Sequence, residues 1–347
     1  MLCPIRLLRS FALQLLVVSA LTALFIPHAY ADLLVGGNGE QIYRYDDRTG
    51  AFVGIPFPSG SGGLNNVQGI TVGPDRELYM SSFGTREVLR FDGHAVRVFI
   101  PRGTGGMGAP NDVKFGPDGN LYVADGFFGT NSILRFDGKT GRFLGVFATG
   151  GGLQQPNRIA FGPTGDLYVG NAWTTDVLRF HGDTGLPFPA SGQSGAIFVP
   201  GSFGPYNVEL AVSSDGVLAV ANGLSPGLRY YDAQTGALLR TPAPDLTNVS
   251  DMSFGPEGDL YVAIYARASV LRFHSSTGAF LGEFVTAGSG GLSRAISLTF
   301  TCPAGHPAAD KKRHCPPLKH TNGSGHADSA RGEGRDADEK SLLRLPF

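Results

Sequence analysis

Six short segments of the chain each begin with polar residues set just ahead of an apolar run. Asn66 and Gln68 open the first, Asn111 and Asp112 the second, and Asn157 and Arg158 the third. Asn207 and Glu209, Asn248 and Asp251, and Arg294 open the others. Asp125, Asn171 and Asn222 then recur at one later position in three successive segments, where Ser82, Gly37 and Ile264 stand elsewhere. Carboxylates and amides gathered in one place offer hard oxygen ligands to a cation such as calcium. The same residue types also cap strand ends, because their side chains bond readily to nearby backbone. Other chemistries have less support. Between residues 32 and 301 the histidines are His94, His181 and His274, all in or beside one recurrent turn away from the polar set. That leaves the set without a general-base histidine or a zinc cluster. There is no Gly-x-Ser-x-Gly elbow, and neither Cys302 nor Cys315 has a positioned partner.

The segments belong to a repeat. "FGPDGNLYVADG" at 115–126 returns as "FGPTGDLYVGNA" at 161–172 and "FGPEGDLYVAIY" at 254–265. Taking the small residue before the turn as marker gives Gly73, Gly116, Gly162, Ser213, Gly255 and Thr301, with spacings of 43, 46, 51, 42 and 46. Such periods predict a propeller with about four strands per blade. A first strand such as "DVKF" runs into a Gly-Pro turn and then "LYVA". A polar loop leads to "VLRF" or "ILRF", and a turn such as "DGKTG" leads to "FLGVF". Short apolar runs of this kind suit strands packed on both faces. Arg44, Arg90, Arg135, Arg179, Arg229 and Arg272 hold one position in every unit, which marks them as packing or salt-bridge residues.

Residues 32–57 align with residues 259–284 but lack a first strand, and residues 294–300 are a first strand with nothing after it. The two fragments complete one blade. The expected fold is therefore all-β: a six-bladed β-propeller of four-stranded blades, closed by one blade shared between the two ends of the domain. Closure leaves no ring edge open to aggregation. In this arrangement the first strands line a central channel, and the polar set meets at its mouth. Phe83, Phe127, Phe128, Trp173, Tyr206 and Tyr265 fall in loops on the same face. Exposed aromatics there suit a small-molecule, sugar or protein ligand, and the same rings also serve as caps over the core. The ligand-binding set is then Asp112, Asp125, Arg158, Asn171, Trp173, Tyr206, Asn222, Tyr265 and Arg294.

Residues 1–31 read as a signal peptide. Arg6 and Arg9 precede an apolar run, and "AYA" supplies the cleavage site after Ala31. The domain spans 32–301 and is expected to be secreted or periplasmic, monomeric and free of the membrane once cleaved. Residues 302–347 are polar and aperiodic, the composition of a disordered tail. A net charge of −1 with no basic stripe argues against nucleic acid as a partner.

"PNDVKFGPDGNLYVAD" and "VLRFDGKTG" resemble the repeats of NHL-type and gluconolactonase-like six-bladed propellers, and also those of streptogramin lyases. The resemblance spans about residues 32–300. It is specific for architecture and weak for activity, since the matching residues are the scaffold's own strands and turns. Gluconolactonase-like enzymes hold a metal with a glutamate, an asparagine and an aspartate from channel-lining strands. By that resemblance Asn157, Glu209 and Asp251 would hold calcium, with Asn111 or Asp112 adding to the site. The family's glutamate lies near the first blade, whereas Glu209 lies in the fourth. The lyases rely on a histidine at the site, which this set lacks. Two functions therefore stand at this point: a binding or interaction module, and a calcium-dependent hydrolase of the lactonase type.

Overall fold

The computed structural model describes residues 32–37, 40–201 and 207–301. The expected signal peptide, the tail with its two cysteines, and Tyr206 lie outside the described residues. Five antiparallel four-stranded sheets follow one another along the chain. Their innermost strands are Val67–Val72, Pro110–Phe115, Pro156–Phe161, Val208–Val212 and Val249–Phe254, and we number the blades one to five in that order. The sixth sheet places Ala295–Phe300 beside Asp32–Gly37, then Gln41–Asp46 and Phe52–Phe57. Each inner strand contacts the inner strands of its two neighbours, so the six close a ring.

Ordinary ladder pairing makes the closure. Leu33 faces Phe300, Leu34 faces Thr299 and Val35 faces Leu298. The Asp32 amide donates to Thr301 Oγ1 at 2.8 Å, and the Thr301 amide returns to the Asp32 carbonyl at 2.9 Å. The sheet edges that a broken ring would expose are thereby paired.

The repeated aromatic residues join the blades. Tyr79 of blade one packs edge-on between Phe99 of its own blade and Phe115 of blade two, with centroids 5.0 and 4.8 Å away. Tyr122 does the same with Phe147 and Phe161, and Tyr261 with Phe284 and Phe300. Each such pair contributes about 0.5–1.5 kcal/mol beyond its area burial. Phe300, from the far end of the domain, thus packs against blade five as though the chain had never been interrupted.

The recurrent arginines stand opposite these tyrosines in the register, Tyr79 against Arg90, Tyr122 against Arg135 and Tyr261 against Arg272. Each guanidinium lies over the ring and bonds to a carboxylate near the Gly-Pro turn. Arg135 reaches Asp118 at 2.5 Å, Arg272 reaches Asp259 at 2.7 Å, and Arg90 pairs with Glu77. Arg179 has lost that acidic partner. It is buried between Phe188 and Phe198 and donates to the carbonyls of Phe188 and Gln234. The turns need a left-handed residue in fourth place, supplied by Gly119 (φ 79°) or Gly165 (φ 88°). Blade one has Arg76 there, at φ 67°, a conformation that is costly for a residue with a Cβ.

Candidate functional site

One position on the six inner strands decides what the channel contains. Its occupants are Gly69, Asp112, Arg158, Glu209, Asp251 and Ser297. In blades two, three and five a bulge separates the first paired residue from this position, so Pro110 faces Asp125 while Asp112 faces Ala124. Blade four has no bulge: Val208 faces Asn222 and Glu209 faces Ala221 directly. The pairing of the position itself is the same in these four blades, since Asp112 faces Ala124, Arg158 faces Gly170, Glu209 faces Ala221 and Asp251 faces Ala263.

Arg158 closes the channel. It is 3 % exposed, and its side chain reaches out to four other blades. Nε donates to Glu209 Oε2 at 2.8 Å and lies 3.5 Å from Asp251 Oδ1. Nη1 donates to the Gln68 carbonyl at 3.1 Å. Nη2 donates to the carbonyls of Ser250 at 2.5 Å and Ile296 at 3.2 Å. The planar fork of a guanidinium can serve carboxylate and carbonyls together, which a lysine cannot do.

The flanking residues are already engaged. Asn157 Nδ2 donates to Glu209 Oε1 at 3.0 Å, and Asn111 Nδ2 to the Pro156 carbonyl at 3.1 Å. Asp112 and Asp251 play one role in two places. Each accepts the next amide of its own strand, from Val113 or Met252, and an amide of the following blade, from Ile159 at 3.1 Å or Leu298 at 2.8 Å. Asp112 also pairs with Lys114 at 3.1 Å. Burial pushes the Glu209 carboxyl up to about 8, with Arg158 opposing in part. Asp251 moves the same way for the same reason. Burial alone would lower Arg158, but Glu209, Asp251 and Asp112 outweigh it and hold the guanidinium firmly charged.

Calcium takes six to eight oxygen ligands. Here Glu209 and Asp251 converge on a guanidinium, and both, like Asp112, also accept amide N–H groups, with Asp112 paired to Lys114 as well. As folded, this donor set fits Arg158 and does not fit calcium unless Arg158 moves away.

The other expected site residues are distributed around the upper face, the one bearing the inner-strand starts. Asp125 is buried and ties a loop together, accepting from the amides of Gly108, Ala109 and Thr130. Asn171 accepts from the Gln154 amide and donates to the Gly152 carbonyl, and Asn222 accepts from the amides of Leu224 and Ser225. Asn66, Asn207 and Asn248 have left-handed backbones, with φ of 54°, 50° and 60°. Asparagine tolerates that conformation better than most residues, which explains its recurrence there. Their carbonyls accept the amides of Phe83, Gly223 and Tyr265, anchoring the loop that follows the second strand.

Above Arg158 and Glu209 the channel widens into a cup of about 600 Å³, whose walls include Gln68, Asn248, Leu224, Tyr265 and Arg294. Exposed apolar side chains stand on this face: Trp173 at 46 %, Tyr265 at 39 %, Phe128 at 75 % and Leu224 at 66 %. Arg294 lies 5.4 Å over the Tyr265 ring and Arg86 lies 5.2 Å over Phe128. Phe128 has a left-handed backbone, φ 57°, unusual for an aromatic. Phe83 and Phe127 instead pack edge-on against each other at 5.9 Å. Phe128 is among the aromatics expected on this face, but Leu224 and the arginine over Phe128, Arg86, carry no signal in the sequence, since neither falls on a repeated polar position. His181 stacks on Phe188 and His274 accepts a turn amide from Thr277, both remote from the cup.

No family model and no curated protein sequence matches the chain. Solved structures do. One chain from the crystal structure of a nidogen/laminin complex superposes with a TM-score of 0.61 at 16 % identity, covering 78 % of this chain and 98 % of that one. A protein of unknown function from Bacteroides caccae gives 0.57 at 18 %, covering 78 % and 99 %. Virginiamycin B lyase from Staphylococcus aureus gives 0.46 at 14 %, covering 68 % and 77 %. At these identities the likeness defines a class, the β-propellers, and no activity.

Proposed function

We propose that this chain is an exported binding module that takes its ligand on the upper face of the propeller. The observation that carries the reading is the Arg158 cluster. It fills the position where the lactonase reading would put its metal, and leaves above it a cup lined by amides and ringed by exposed aromatic and arginine side chains. Tyr, Trp and Arg are the residue types that dominate binding energy at interfaces. The nidogen/laminin chain, a propeller found in a protein complex, supports a protein ligand over a small one. Export rests on the leader-like first 31 residues. The NHL-type and gluconolactonase-like likeness belongs to the strands and turns and adds nothing to the cup.

Trp173 is the only tryptophan of the chain and stands on this face, so its fluorescence reports binding. A glycan and peptide array read through that signal should yield ligands that Tyr265→Ala loses and Phe280→Ala, on the outer rim, keeps. Calcium-dependent lactone hydrolysis by the unmodified protein would overturn the reading in favour of the hydrolase.

A further inference from the structure

The channel also opens on the opposite face, into a second cavity of about 560 Å³ to which all six blades contribute. Two residues past the buried layer, the inner strands present Thr71, Lys114, Ala160, Ala211, Ser253 and Thr299. Five are small, and Lys114 is the one charged residue among those lining the cavity. The wall beyond is apolar, with Phe115, Phe161, Val212, Met252 and Phe254. A side cavity of about 180 Å³ is lined by Lys114 together with the hydroxyl residues Thr71, Ser253 and Thr299. The combination is that of a small-molecule site: an open funnel with a volume within the usual range of roughly 300–1,000 Å³, mostly apolar, with a few convergent polar groups.

We propose that this lower funnel binds an amphiphilic monoanion, a carboxylate on an apolar body, with the carboxylate at the Lys114 ammonium and the body along the phenylalanine wall. Lys114 spends one of its three N–H donors on Asp112, at 3.1 Å, and the others remain for a ligand. The hydroxyls of Thr71 and Thr299 add neutral donors on the same wall, while that of Ser253 donates to the Phe254 carbonyl at 3.3 Å. The charge balance permits an anion. Asp112 and Lys114 cancel, and Arg158 offsets one of the two carboxyls it touches. Burial raises the Glu209 carboxyl, which weakens the other negative charge. The funnel is separated from the upper cup by the Arg158 layer, so this site is independent of the ligand proposed above.

The test is titration calorimetry of the unmodified protein at pH 7 with hexanoate, octanoate, decanoate and decanol. The expected result is saturable binding that tightens about fourfold per methylene, the factor equivalent to about 0.8 kcal/mol each. Decanol should bind at least tenfold more weakly than decanoate, and Lys114→Met should lose the difference. Because Lys114→Met also strands Asp112, Ala160→Phe is the second variant. It fills the funnel with the ion pair intact and should abolish binding while the melting temperature holds. Equal affinity for decanol and decanoate, unchanged binding by either variant, or no heat with any of the four would overturn the proposal.

Discussion

Replacing Arg158 tests the reasoning about the channel most directly. Arg158→Ala removes the guanidinium and leaves Glu209 and Asp251 buried with no counter-charge between them, while the carbonyls of Gln68, Ser250 and Ile296 lose their donor. Breaking a buried ion pair by removing one partner costs about 3–5 kcal/mol. In a domain of this size each kcal/mol lowers the melting temperature by roughly 2 °C or more, so a fall of about 6–15 °C is expected at pH 7. Arg158→Lys keeps the charge and loses the fork, and should fall between the two. At pH 5 the stranded carboxyls can protonate, so the penalty of Arg158→Ala should shrink. The Ala variant also leaves two carboxylates and three carbonyls facing one gap, which is a cation site. Millimolar calcium should therefore raise the melting temperature of Arg158→Ala and leave the unmodified protein unmoved. Differential scanning calorimetry at both pH values, with and without calcium, reads all of this. An Arg158→Ala melt within 2 °C of the parent, or a calcium shift in the parent itself, would refute the reading of Arg158 as the resident cation of the channel.

A carboxyl raised in the folded state keeps a proton that the unfolded chain has released, so the Glu209 contribution is complete below about 4.5 and is lost as pH rises through about 8. Denaturant midpoints should accordingly fall between pH 5.5 and 7.5, and Glu209→Gln should flatten that slope, by at most about 1.4 kcal/mol per pH unit; an unaltered slope counts against a protonated Glu209. Deleting residues 293–347 removes the strand Ala295–Phe300 and the Phe300 contact with Tyr261, and should lower the melt by at least about 10 °C or prevent folding. Deleting only 303–347 should change the melt little, and equal melts for the two would disprove the ring closure. Arg76→Gly relieves a left-handed backbone at φ 67° and should raise stability by about 0.5–1 kcal/mol, the strain relieved less the extra entropy of glycine in the unfolded chain; urea denaturation decides the sign.

The blades, their number and the shared sixth blade were legible in the sequence because they rest on local signals: apolar runs, Gly-Pro turns and a period that returns. The upper-face asparagines were read as oxygen donors when the backbone was the reason for them. Asn66, Asn207 and Asn248 recur because each sits at positive φ, and sequence alone does not separate a polar side chain chosen for its amide from one chosen for its φ tolerance. Asp125, Asn171 and Asn222 were correctly placed as equivalents, but their bonds go to loop amides and carbonyls beside them. Arg158 is expected from the sequence to touch a ligand. Its reach depends on where four other inner strands bring their carbonyls and carboxylates, a long-range property that no local pattern carries. Glu209 stands in the fourth blade, whereas the resemblance puts the family's glutamate near the first, and its bond to Arg158 becomes visible only when the blades are assembled.

Broken symmetry at one layer explains how a nearly six-fold scaffold can hold two different sites. A ring of six identical residues at the channel position would put six like groups against one another. The occupants here differ in every blade but two, and each difference has a neighbour that requires it. Gly69 is small because any Cβ there would lie 2.5 Å from Asp112 Oδ1. Asp112 and Asp251 each reach sideways to hold the next blade. Arg158 and Glu209 meet across the boundary of adjacent blades, Nε to Oε2 at 2.8 Å. The result is a closed, charge-compensated plate whose removal should be felt throughout the ring. Above it lies a cup of amides with aromatic and arginine residues at its rim, and below it a funnel of small and apolar residues around one lysine. Since the plate blocks the channel, a ligand in one cavity makes no contact in the other, and substitutions at Tyr265 and at Ala160 should each silence one end and spare the other.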